Sequence, residues 1–587
     1  MCRFVVGVVA LMVTLSAAAP KSATTKPAQN AVVYPSNFPT PTETYSRFAQ
    51  MDVSGNYFLF WRANSTHIHF ETHVKTRGYV GFGISSNGNM YPADVVIGWV
   101  KDGKVHFEDR HTIGFYEPII DDSQDWTLIA GYENDFGTVL KFSRALDTCD
   151  EKQDRVIKDG TTKVIFSYHP DDPIHETGLT YHGHGRRGSK SLLLLDLNPT
   201  VKELPADTKH FDMKNQQFHL PAVDTYYHCT VFKMPVLPQK HHLVMYEALI
   251  DPGNEDVLHH MVLYTCPGKM DDKYDLMQYH CYHEHDPLLQ ACTGVFLAWA
   301  VGGEPFYLPD NAGFPLGTKD DPRFLLLETH YNNPSLKTGV IDSSGMRIHF
   351  TPTLRLHDAG VLETGVMVDR FQIVPPEYES FKSRGYCSME CMQRSLTRST
   401  APEMNVFAVF QHTHLIGKGI KTRIVRNGTE IEPLIVDDNY DFDFQETRLL
   451  AHERKLQVGD AIITECDYRS KEKGKFTYGG LSTSDEMCLT FILYYPRMPM
   501  SNCLSLPMYG AYISDPGQRE GLIQYLETLD WKNQTTRDMF QQNTDQSKYW
   551  LVCMDYAGPT SYFRKTAQPD PVTKPYVKPK SDWCSSK

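Results

Sequence analysis

His412 and His414 stand two residues apart in Phe-Gln-His-Thr-His-Leu, directly after the apolar run Val406 to Phe410. A β-branched and aromatic run of this kind suits a strand buried on both faces. Side chains alternate along a strand, so the two imidazoles project from one side and form half of a metal site. Three further features carry donors. Val257-Leu-His259-His260-Met-Val-Leu-Tyr-Thr-Cys266 holds adjacent histidines, Leu327-Glu-Thr-His330 ends an apolar run, and Asp485-Glu-Met487-Cys opens another with a thioether. Each alone also reads as structure: a polar strand end, a satisfied buried histidine, a core methionine. Together they are five imidazoles and one thioether with no obvious carboxylate ligand. That set favours copper, because the soft sulfur stabilises the reduced ion. A zinc protease would show His-Glu-x-x-His, and His283-Glu-His285 has the wrong spacing. A blue-copper site would need a cysteine thiolate, and the cysteines look committed to disulfides.

Donors so far apart in sequence need rigid elements to meet, and the chain reads as mostly β. Residues 41–165 carry closely spaced β runs, with a hairpin signal at Asp102-Gly103, and predict an antiparallel sandwich. There His67, His69 and His73 share one strand face, expected on the solvent side. Residues 166–210, rich in Pro, Gly and Asp and holding His182-Gly-His184-Gly-Arg-Arg, read as a connector. A second β region, 211–355, holds His259, His260 and His330. A third, 356–515, holds His412, His414 and Met487, with a hairpin signal at Asn427-Gly428. Residues 516–587 read as a C-terminal extension with a short helix over 519–529. Adjacent histidines on a regular strand point to opposite faces, so for His259 and His260 to share a metal the strand must start or bulge there.

Length and composition set the frame. The 587 residues suggest roughly three to four domains. A net charge of -13 argues against nucleic acid and anionic membrane as partners. Residues 1–19 read as a secretory signal, with Arg3 ahead of the apolar run Val5 to Leu15 and small residues at 16–19. Residues 20–40 read as a flexible lead. No stretch is long enough to span a bilayer. Of 13 cysteines, Cys2 falls in the signal, and the even remainder suits disulfides in an oxidising compartment. Asn64, Asn427 and Asn533 begin glycosylation sequons. A secreted or lumenal glycoprotein is expected.

The order His259-His260-Met, Glu-Thr-His330-Tyr-Asn-Asn-Pro, His412-Thr-His414 and Glu-Met487-Cys resembles the type II, ascorbate-dependent copper monooxygenases. The β sandwich ahead of this core is similar to a DOMON domain, which points to the dopamine β-hydroxylase and DBH-like branch. The resemblance covers roughly residues 40–560. It implies two jelly-roll-like copper domains and two mononuclear coppers. His259, His260 and His330 would hold an electron-transfer copper; His412, His414 and Met487 would hold the copper that activates O₂. Tyr227 and His412 match residues assigned to the active site, although Tyr226 lies beside Tyr227. Glu363 aligns with an acidic residue near a proposed amine site, where a carboxylate could pair an ammonium. Asp94 and Asp109 could help hold a structural cation in the DOMON-like region. The implied disulfides are Cys149–Cys584, Cys229–Cys281, Cys266–Cys292, Cys387–Cys503, Cys391–Cys553 and Cys466–Cys488. They leave no cysteine for interchain bridges, so a homodimer would be non-covalent. The expected function is ascorbate- and O₂-dependent hydroxylation of a C–H bond, at the benzylic carbon of a phenethylamine-like substrate. The alternatives are the same chemistry on an unrelated small molecule, or a non-catalytic secreted copper- or ligand-binding protein.

Overall fold

A computed structural model describes residues 35–579 and Cys584, apart from 53, 175–177, 196–201, 267–269, 283–285, 291, 293, 301–302, 319–320, 334, 400–401, 481, 483, 511, 513–518 and 557. The expected signal, most of the flexible lead and His283-Glu-His285 lie outside the described residues. The rest is mostly β, in three units along the chain.

The first unit is a sandwich of a five-stranded and a six-stranded sheet. Apolar side chains alternate inward and interdigitate between the sheets, among them Leu59, Trp61, Phe70, Phe82, Phe142 and Phe166. Asp102 and Gly103 both take positive φ, 51° and 73°, in the hairpin between Ala93–Lys101 and Lys104–His111. The predicted connector is in part sheet. Arg187–Leu193 is a strand that pairs with Thr161–Tyr168 at the edge of the six-stranded sheet. Only Leu192 and Leu193 of it are buried, so it shows almost no apolar alternation to read. His73, expected on the solvent side, is instead buried, bonded to Glu71 Oε1 at 2.7 Å and packed edge-on against Phe60. Asp94 and Asp109 do meet, with Asp154, their oxygens within 4.8 Å. Arg144 and Trp126 Nε1 already bind the Asp94 carboxylate, and burial pushes Asp109 up to about 8.

In the second unit the central sheet runs in the spatial order Gln278–His280, Thr225–Lys233, Phe324–Asn332, Leu258–Thr265 and Gly294–Ala300. In the third the order is Arg448–Gln457, Glu403–Thr413, Cys488–Tyr495, Gly360–Val366, Met500–Pro507, Tyr549–Asp555 and Gly558–Ala567. Its last two strands come from the segment expected as an extension, which therefore completes the domain. One buried apolar cluster runs across both units, joining Leu258, Met261 and Leu297 to Phe407, Phe410 and Leu489. This shared core fixes the two sheets against each other.

The six disulfides are Cys149–Cys584, Cys229–Cys281, Cys266–Cys292, Cys387–Cys503, Cys391–Cys553 and Cys466–Cys488. They fit an oxidising compartment. Asn64, Asn427 and Asn533 are exposed, at a turn, a hairpin tip and a helix N-cap. Among the described residues no helix is long and apolar enough to cross a membrane.

Candidate metal centre

In the second unit His260 pairs with His330, which pairs with Tyr227, so three neighbouring strands carry these residues in one row. The ladder slips by one residue between Leu258 and His260, leaving His259 as the bulged residue. A bulge breaks the alternation that would send adjacent side chains apart. His259 Nδ1 lies 3.0 Å from His260 Nδ1, which lies 3.3 Å from His330 Nδ1. Donors on bonds of about 2.0 Å at tetrahedral angles stand about 3.3 Å apart. His259 Nε2 donates to the Asp443 carboxylate at 3.2 Å, which leaves Nδ1 with its lone pair facing the others. All three rings are buried. Burial and the neighbouring imidazoles hold His260 and His330 well below the usual histidine range. Three imidazoles turning nitrogens toward one point suit a borderline-soft cation.

Tyr227 stacks on His330 with ring centroids 4.4 Å apart and planes 5° off parallel. Tyr226 instead meets Phe218 and His280. The tyrosine at the site is thus Tyr227, acting as a wall for a candidate ligand ring.

In the third unit His412 is the last residue but one of the strand Glu403–Thr413, and His414 follows the strand. His412 Nδ1 donates to Gln445 Oε1 at 2.8 Å, and His414 Nδ1 donates to the Asp485 carbonyl at 3.2 Å. Both acceptors are obligate, so both Nε2 atoms carry lone pairs. Their rings sit 5.0 Å apart at 86°. Burial pushes His412 down to about 4 and His414 to about 3, so both are neutral at physiological pH. Met487 is buried just before the strand Cys488–Tyr495 and lines one cavity with His412 and His414. The Cys466–Cys488 bridge pins the next residue, and Tyr468 Oη donates to the Met487 carbonyl.

Glu486 escaped the sequence reading. Its buried carboxylate accepts from Thr413 Oγ1 (2.8 Å), His414 N (2.9 Å), Ile416 N (2.9 Å) and Met487 N (3.2 Å). It ties the His412–His414 turn to the methionine strand, while burial pushes its pKa up to about 7. Glu486→Gln turns an N–H toward these donors. We expect a loss of about 2–4 kcal/mol in chemical denaturation and reduced copper content. Wild-type stability together with wild-type copper content would contradict this role.

Between the two donor sets lies a cavity of about 600 Å³. The His260 and His412 rings approach to 6.1 Å across it. Phe410, Leu489, Phe491 and Trp299 give it an apolar body. Glu363 and Glu328 line it, both pushed up to about 7 by burial; Glu363 accepts from Asn502, and Glu328 from Tyr282 Oη at 2.9 Å. Among the described lining residues none is lysine or arginine.

Three family profiles match the chain: a DOMON domain over 53–169, and the N-terminal and C-terminal domains of copper type II ascorbate-dependent monooxygenase over 211–338 and 357–513. DBH-like monooxygenase protein 1 of Gallus gallus is 42% identical over 465 residues, 79% of this chain and 75% of the relative. The Homo sapiens protein of the same name is 41% identical over the same shares. Dopamine beta-hydroxylase of Canis lupus familiaris is 33% identical over 463 residues, 78% of this chain and 72% of the relative. With a DOMON sandwich ahead of both copper domains, the chain belongs to the copper type II ascorbate-dependent monooxygenase family, in its DBH-like branch.

Proposed function

We propose that the chain hydroxylates the benzylic carbon of a phenethylamine-like substrate in the lumen of the secretory pathway or after secretion. The carrying observation is the cavity between the donor sets, apolar in body, provided with Glu363 and free of lysine and arginine among its described lining. A cationic amine with an aromatic ring matches those walls. A carboxylate-bearing peptide end would meet no counter-charge. The likeness to a protein named dopamine beta-hydroxylase supports the same substrate class.

In this reading His259, His260 and His330 hold one copper, and His412, His414 and Met487 hold a second. Bound copper supplies one-electron transfer and O₂ activation, with ascorbate as the electron source. The balance is one C–H bond, O₂, two electrons and two protons giving C–OH and water. Protein side chains do the rest. Glu363 stands opposite Phe491, and Phe491 opposite Phe410, two residues before His412. That register puts the Glu363 and His412 Cα atoms about 12 Å apart on one sheet face. A glutamate, a phenethylamine and an imidazole span that distance. Phe410, Leu489 and Phe491 would hold the ring and exclude water from the reacting carbon. Tyr227 would keep His330 in its plane. A homodimer of such chains would be non-covalent, since the described cysteines pair within the chain.

The test is ascorbate-dependent O₂ uptake by copper-loaded protein with tyramine, dopamine and a glycine-extended peptide. Uptake coupled to β-hydroxylated amine, with none for the peptide, is expected. Coupled hydroxylation of the peptide, or copper retention without coupled uptake on any amine, would overturn the reading.

A further inference from the structure

The segment between the strands Thr429–Asp437 and Arg448–Gln457 touches all three domains. At its base Tyr440 Oη donates to the Thr413 carbonyl at 2.7 Å and accepts from Thr413 N, between the histidines of the third unit. At its end Gln445 Oε1 accepts from His412 Nδ1, and Gln445 Nε2 donates to the Phe442 carbonyl at 2.7 Å. Between these anchors the chain reaches into the second unit. Phe442 stacks on His259, centroids 4.5 Å apart and planes 20° off parallel, and meets His414 edge-on at 5.8 Å. Asp443 Oδ1 accepts from His259 Nε2 at 3.2 Å. The DOMON sandwich holds the same segment: Lys163 Nζ (2.9 Å) and Ser191 Oγ (2.5 Å) donate to Asp441 Oδ2, and Thr161 Oγ1 donates to Asp437 Oδ2 at 2.7 Å.

We propose that residues 437–445 form a clamp completing both histidine sets at once, with Asp443 the positioning residue for His259 of the opposite domain. The inference rests on reading those histidines as copper ligands. His259 is the bulged residue, outside the regular ladder, so the sheet fixes its ring less firmly than those of His260 and His330. His330 has the Tyr227 ring against it; His259 has Phe442 and Asp443 instead. A metal-binding histidine whose second nitrogen donates to a carboxylate keeps its tautomer and its aim. Here the carboxylate comes from another domain. The three-histidine set is therefore whole only while the copper domains are docked and the sandwich holds the clamp. The Asp443 side chain is 73% exposed, so its contribution is directional and depends on Phe442 for the ring plane.

The experiment uses the full chain with His414→Ala, which leaves the three-histidine set as the one intact donor set. Cu(II) affinity is read by chelator competition and ligation by electron paramagnetic resonance. Asp443→Ala is expected to weaken binding about 10- to 100-fold and to alter the spectrum. Asp443→Asn, which can still accept the N–H, should recover most of the affinity. Asp441→Ala, which acts only through the clamp, should weaken binding in the same direction; Asp438→Ala, which breaks only an exposed 3.6 Å pair with Lys158, should not. Unchanged affinity and spectrum in Asp443→Ala would overturn the clamp and leave the ligand reading standing. Copper binding that survives His259→Ala undiminished would overturn both.

Discussion

Met487→Ala is expected to lower amine-coupled O₂ uptake by about two to three orders of magnitude, beyond the loss typical of an outer-shell change. In the proposed ligand set the thioether is the one soft donor among six, and softness is what stabilises a reduced ion able to meet O₂. The backbone around it is tied on each side, by Glu486 before and by the Cys466–Cys488 bridge after, while Tyr468 holds its carbonyl. Deleting the side chain therefore removes a donor without releasing the strand. Met487→Leu separates ligation from packing. It keeps the volume and should cost under about 1.5 kcal/mol in stability, yet the activity loss should be as deep as with alanine. Copper titration should still find the three-histidine set filled in both variants. A leucine variant retaining coupled turnover would make Met487 a core residue and leave His412 and His414 as the donors of the third unit.

Those residue types are legible in the sequence alone. Val406 to Phe410 announces a doubly buried strand, and two histidines after such a strand must share a side. Asn427 and Gly428 take positive φ, 50° and 77°, at the hairpin their dipeptide announces. The bulge at His259 was readable as a requirement, since adjacent histidines cannot otherwise face one ion. What escaped depends on partners far along the chain. Glu486 is an ordinary acidic residue until the donors of the 413–416 turn close on it. Asp441, Phe442 and Asp443 look like a polar loop, because their partners Lys163 and His259 lie in other domains. The strand Arg187–Leu193 hides for a local reason: it lies at a sheet edge and buries only its last two residues, Leu192 and Leu193. Periodicity reports burial within one element, and is silent where an element works through contacts it does not bury.

Glu363 offers the second large effect, and its sign follows from its place. Burial raises its carboxyl from the usual range to about 7, and Asn502 opposes the shift. A neutral acid cannot pair an ammonium, so kcat/KM for tyramine should climb about tenfold per pH unit up to about 7 and then level. Glu363→Gln should flatten that limb. At pH 8 it should raise KM by about 10- to 100-fold, the worth of a charge-assisted hydrogen bond of about 1.5–3 kcal/mol. A neutral aromatic substrate of similar size should show neither effect. Stability carries the opposite sign. A carboxyl raised in the folded state favours folding below its unfolded pKa, and that contribution is lost as pH rises through about 7. Glu328 and Glu486 share the direction, so the Tm difference between wild type and Glu363→Gln isolates this residue. The difference should move against wild type between pH 6 and pH 8, and bound amine should restore more at pH 8 than at pH 6. A flat wild-type profile, or a glutamine variant that binds amine as tightly at pH 8, would remove Glu363 from the substrate site and leave Glu328 as the carboxylate facing the same cavity.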